Sequence, residues 1–129
     1  MIIKQLSVFI ENREGRMEAI TGVLRDNDIN ILSLSLADTS EYGILRLIVS
    51  DDEKARQVLR DAGFSARLTD VLAVRANDRV GFLNDLLVKL GRLQTSIEYM
   101  YTLPSPEGPV IIMKVAKPEE TEALLEGLE

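Results

Sequence analysis

The sequence contains no cysteine and no histidine. The first absence removes disulfides and thiolate chemistry. The second removes imidazole acid–base catalysis and, with the first, the usual zinc ligand sets. Carboxylates, Lys, Tyr, Ser and Thr remain as possible catalysts, so an enzyme is the weaker expectation, and neither a metal nor a cofactor is expected. No run approaches the ~18 uninterrupted apolar residues of a membrane span. No basic segment leads into a long apolar stretch at the N-terminus, so a signal peptide is not evident and a cytoplasmic location is expected. Positive charge is also short: the net charge is −6, which argues against the broad basic surface that nucleic acid requires.

What is present is 129 residues, 46% apolar and 28% charged, the balance of a globular chain with room for one domain or two small ones. Residues 5–10 alternate, with Leu6, Val8 and Ile10 on one face and Ser7 and Phe9 on the other, the period of a strand. Residues 11–15 break the alternation. Met17, Ile20, Val23 and Leu24 then follow at helical spacing, with a stop at Asn27-Asp28. Strands are expected over 29–37, where Leu32, Leu34 and Leu36 alternate with Ser33 and Ser35, and over 44–49, with Arg46 on the open face. Ser50 to Glu53 form an N-cap and acidic first turn for a helix carrying Ala55, Val58, Leu59 and Ala62. Gly63 stops it, and 64–69 is a further strand. The plan is β-α-β-β-α-β, the ferredoxin-like arrangement of class α+β, with an antiparallel sheet and both helices on one face.

Shifting the sequence by 66 aligns its halves without a gap: Leu6 meets Leu72, Val8 meets Val74, Gly15 meets Gly81, Ile20 meets Leu86, Leu24 meets Leu90 and Val49 meets Val115. The second half thus reads as strand 71–76, helix 80–91, strands 95–103 and 109–115, and helix 118–127. Two domains are expected, 1–70 and 71–129, joined at Asp70 without a linker. The second has no counterpart of strand 64–69, leaving a sheet edge to be blunted, covered or paired with another chain. Tyr99 and Tyr101 stand where Ser33 and Ser35 stand in the first half. They form either a packing face or the wall of a pocket.

The repeat centres on the turn Asn12-Arg13-Glu14-Gly15-Arg16-Met17, which returns as Asp78-Arg79-Val80-Gly81-Phe82-Leu83. Gly permits a tight turn and close approach of a ligand. The first helical N–H groups lack intrahelical partners and carry positive charge, suited to a carboxylate or phosphate. Asn12 and Asp78 either cap the helices or hold a ligand ammonium. Glu98, among Tyr99 and Tyr101, is the one cluster to consider for acid–base work.

The fold plan, the Asn12-x-x-Gly15 and Asp78-x-x-Gly81 turns and the Asp28-Ile29-Asn30-Ile31 run together resemble the ACT domain, in tandem and over nearly the whole chain. Ile97-Glu98-Tyr99-Met100-Tyr101 is similar to a small stand-alone tandem group within that family, related by similarity to the regulatory subunit of acetolactate synthase. The resemblance implies an allosteric sensor of amino acids. Its units would associate side by side, giving a homodimer, with ligand held between the turn of one unit and the second strand of its neighbour. Residues 12–17 and 78–83, with Ser33, Ser35, Tyr99 and Tyr101, would then line the site. The alternative is a regulatory subunit that acts by binding a metabolic enzyme, such as one of amino-acid biosynthesis.

Overall fold

The computed structural model describes residues 1–11, 13–38 and 41–127. Ten elements follow in order: β1 (Ile2–Glu11), α1 (Arg16–Asp26), β2 (Ile31–Asp38), β3 (Tyr42–Val49), α2 (Asp52–Asp61), β4 (Ser65–Arg75), α3 (Phe82–Arg92), β5 (Ile97–Leu103), β6 (Val110–Val115) and α4 (Pro118–Gly127). Helices α1 and α3, and likewise α2 and α4, begin and end 66 residues apart. The duplication extends to irregular backbone. Asp28 and Gln94, the only described non-glycine residues at positive φ, have values of 56° and 55°. The ladder irregularity between Ile31 and Ser33 returns between Ile97 and Tyr99.

The chain forms two compact units, one of Lys4–Thr69 and the other of Met1–Ile3 with Asp70–Glu129. In the first unit the strand order is β2-β3-β1-β4. Leu6 pairs with Leu47 and Val8 with Leu45 across an antiparallel ladder. These four side chains are fully buried beneath Ile20 and Leu24 of α1 and Ala55 and Leu59 of α2, so both helices cover one face. Asp51 caps α2 by accepting a hydrogen bond from the Lys54 N–H at 3.2 Å. Asn27 ends α1 and donates its side-chain amide to the Val23 carbonyl at 2.8 Å. Ser7 and Ser35 both pair with Arg46 on the opposite face, where Arg46 is half-buried rather than fully solvated.

Leu32, Leu34 and Leu36 depart from what their alternation suggests. Leu34 pairs with Leu47 and Leu36 with Leu45, so they point to the helix side. Yet they are 54% and 47% exposed, and Leu32 is 44% exposed. In this unit's order β2 is the edge strand, and α1 and α2 pack over the inner strands.

The second unit has the order β1-β4-β6-β5. Leu72, Ile111, Met113 and Val115 meet Leu86 and Leu90 of α3, with Ile2 and Leu125 packed against them. Residues 1–3 take the fourth-strand position of this unit, beside β4. Met1 donates its amino N–H to the Ala73 carbonyl at 3.0 Å and accepts from the Ala73 N–H at 2.7 Å. Exchange of both bonds between two residues marks an antiparallel pair. The edge expected to need blunting is therefore paired within the chain.

The expected strand break at Asp70 is corrected. Strands anticipated at 64–69 and 71–76 form one strand, because no Gly or Pro interrupts Ser65–Arg75 and extended backbone runs through. The chain passes from Thr69 to Asp70 within β4, where no residue type marks the change.

Tyr101 pairs with Ile112 and lies on the face away from α3. There, with Leu103 and Ile3, it packs against buried Val71, Ala73, Val110 and Ile112. Of the two readings of this aromatic strand, packing describes Tyr101.

Candidate functional site

The two turns share one construction. In the first, the Arg13 N–H donates to the Glu11 carbonyl at 2.9 Å, Arg16 to Arg13 at 3.5 Å and Ala19 to Gly15 at 2.9 Å. In the second, Arg79 donates to Asn77 at 2.8 Å, Phe82 to Arg79 at 3.4 Å and Asp85 to Gly81 at 3.0 Å. Gly15 (φ 83°) and Gly81 (φ 89°) are left-handed and occupy the N-cap positions of α1 and α3. A glycine N-cap offers no side-chain acceptor, so the next helical N–H groups are left without that partner. Among the described residues neither helix has a side-chain cap, and Asp78 does not cap α3. Asn12 lies outside the described residues.

Around the first turn, Arg13, Arg16 and Met17 share a niche of about 70 Å³ with Ile10, Gly43 and Leu36 of β2. Arg13 is paired with Glu11 at 3.3 Å. The Arg16 guanidinium lies 4.7 Å from the Phe64 ring centroid, a cation–π distance, and its Nε is buried without a hydrogen-bond partner. Glu14 is exposed and outside the niche. Ser33 and Ser35 pair with Ile48 and Arg46 on the sheet face away from α1, so they do not join the turn.

Around the second turn the space is larger, about 320 Å³. Phe82, Leu72, Leu86 and Leu125 give it an apolar lining between α3 and α4. Arg79 stands at its edge, bonded to Asp85 at 2.8 Å and 5.7 Å from the Phe82 ring centroid. Val80 is fully exposed and Leu83 is 44% exposed; neither they nor Asp78 and Gly81 line the space. Tyr99 pairs with Lys114 on the face opposite α3, alongside Tyr101, so neither tyrosine meets the second turn.

The structure thus brings together Arg13, Arg16 and Met17 in one place and Arg79 and Phe82 in another. Sequence reading missed Asp85, Lys89 and Glu122, which also line the larger space. A signal existed for two of them: Phe82, Asp85, Leu86 and Lys89 recur at i, i+3, i+4 and i+7, one face of a helix.

Glu98 is 61% exposed with the Lys114 ammonium 4.0 Å away, a solvated carboxylate rather than a sequestered acid–base group. Among the described residues no cluster of three or more ligating side chains could hold a metal ion, and no helix is long and apolar enough to cross a membrane.

A family model described as an ACT domain pair matches residues 1–127. A protein of known crystal structure from Bacteroides thetaiotaomicron is 34% identical, with a TM-score of 0.90 over 98% of this chain and 88% of that one. The ligand-free regulatory subunit of aspartate kinase from Thermus thermophilus is 14% identical, with a TM-score of 0.65 over 99% and 95% of the two chains. The same subunit from Thermus flavus is 14% identical, with a TM-score of 0.63 over 100% and 96%. At that identity the likeness is one of fold. No curated protein matches the chain.

Proposed function

This chain belongs to the family of paired ACT domains, and from that premise we propose that it is a regulatory, non-catalytic module of the cytoplasm. It binds an amino acid where the first turn meets a unit of a second copy. The observation that carries this reading is the niche at Arg13, Arg16 and Met17, bounded by Leu36 of the edge strand β2. At about 70 Å³ it is far below the roughly 300 Å³ at which small-molecule sites begin. A second copy laid along β2 would enclose it and cover Leu32, Leu34 and Leu36.

In that assembly the N-terminus of α1, which starts at the left-handed Gly15, receives the ligand carboxylate, helped by the two guanidinium groups. Regulation follows if the assembled pair binds ligand more tightly than the separate copies, because occupancy then shifts the assembly equilibrium.

The fold shared with the aspartate kinase regulatory subunit supports a second reading, in which the chain acts by binding a metabolic enzyme. A pull-down from the native host that returns only this protein would count against it.

Calorimetry of the assembled protein against the twenty amino acids tests the first reading. We expect one or a few to bind, with affinity reduced roughly tenfold in Arg13→Ala by loss of a charge-assisted contact. An assembled, folded protein that takes up none at millimolar concentration would refute it.

A further inference from the structure

The space between α3 and α4 has a charge balance of its own. The Met1 amino group, Arg75, Arg79 and Lys89 face it with Asp85, Glu122 and Glu126. Most of these charges are already paired: Arg79 with Asp85 at 2.8 Å, Arg75 with Glu107 at 3.7 Å, and the Met1 amino group with Glu122. Among the described residues two lining charges have no ion pair, the half-buried Lys89 on α3 and Glu126 on α4. One cation and one anion are thus left over an apolar floor that includes Leu72 and Leu86, 1% and 6% exposed.

The first unit differs at the corresponding place. Arg16 is the counterpart of Phe82, and in the first unit Arg16 lies on the ring of Phe64, which is 9% exposed and part of the core. The second unit builds its fourth strand from residues 1–3, so Met1 reaches this rim and no second ring fills it among the described residues. The volume of about 320 Å³ falls at the lower end of the range for small-molecule sites.

We propose that this cavity binds a small zwitterion with an apolar body, of about the size of leucine. The ligand carboxylate faces Lys89, its ammonium faces Glu126, and its alkyl body rests on Phe82, Leu72, Leu86 and Leu125. The site lies wholly within the second unit, apart from the turn niche of the first, so the inference goes beyond the function proposed above.

The test is calorimetry of the full chain with leucine, with 4-methylpentanoate, which lacks the ammonium, and with 3-methylbutylamine, which lacks the carboxylate. The same titrations are run on Lys89→Met and Glu126→Gln, whose side chains lie at the rim and whose folding is checked by circular dichroism. Leucine should bind, with methyl resonances of Leu72, Leu86 and Leu125 shifting. Each analogue and each variant should bind at least roughly tenfold more weakly, the loss of one charge-assisted contact. Leucine binding that is unchanged in both variants but reduced in Arg13→Ala overturns this inference and leaves the turn site standing. Absence of binding by leucine, while another amino acid binds in an Arg13-dependent way, does the same. Absence of binding by leucine and by all other amino acids overturns both.

Discussion

Replacing glycine by alanine should have opposite signs at two positions seven residues apart. Gly15 sits at φ 83° and Gly22 lies inside α1. A Cβ at Gly15 would meet nothing within 4 Å, so no packing cost enters; at Gly22 its nearest neighbour would be the end of Arg25, at 4.0 Å. What remains is backbone. A left-handed non-glycine residue costs about 1–2 kcal/mol. The stiffer unfolded chain gives back about 0.4–1 kcal/mol. Gly15→Ala should therefore destabilise by about 1 kcal/mol, and Gly81→Ala, at φ 89° with the same open surroundings, by a similar amount. Gly22→Ala gains helix propensity and should stabilise by about 0.5–1 kcal/mol. In thermal unfolding the two classes should move apart, each by about 4 °C per kcal/mol for a chain of this size. Gly15→Asn should cost less than Gly15→Ala, because Asn tolerates the left-handed region. The decisive result is the sign. If Gly15→Ala and Gly81→Ala raise the midpoint as Gly22→Ala does, the turns do not hold their glycines at positive φ; shifts of opposite sign at Gly15 and Gly81 would refute the structural equivalence of the two turns.

Leu34→Glu places a charge on the exposed, helix-side surface of β2 and should change the stability of the single chain by no more than about 0.5 kcal/mol, while sedimentation equilibrium shows loss of self-association. An unchanged association constant would mean that copies do not meet along β2. Hydrogen exchange addresses the strand supplied by the N-terminus: the Ala73 amide, 2.7 Å from the Met1 carbonyl, should be protected in the intact chain and exchange at least roughly tenfold faster when residues 2–3 are deleted. Equal exchange in both forms would show that residues 1–3 do not pair with β4.

Local pattern carried the elements because their causes are local. Helices α1 to α4 and their apolar stripes follow from the 3.6-residue period, and the helix–sheet core from alternation in β1 and β3. The repeat of 66 was visible because equal environments select equal residue types, and it foretold helix limits that recur at that interval. The glycine turns were legible for the same reason, since an αL position at a helix start selects against a Cβ. Within each unit the structure gathers Arg13, Arg16 and Met17 at one turn and Arg79 and Phe82 at the other, while Ser33, Ser35, Tyr99 and Tyr101, expected to meet the turn of a neighbouring unit, lie on the opposite sheet face. Alternation says that such residues share a sheet face; it does not say which face the helices cover.

The rest was decided by contacts between distant positions, which leave no local mark. Three leucines of β2 alternate like core residues, yet stand exposed because the strand lies at the edge of its sheet. Residues 1–3 precede the strand expected at 5–10, yet they add to the second unit's sheet through bonds to residue 73. Met1 lines the cavity between α3 and α4 with residues more than seventy positions away in the chain. Periodicity and repetition thus set the tandem architecture and its turns from the sequence alone. Strand order, edge exposure and the open space between α3 and α4 belong to the tertiary structure, because each depends on which segment lies beside which.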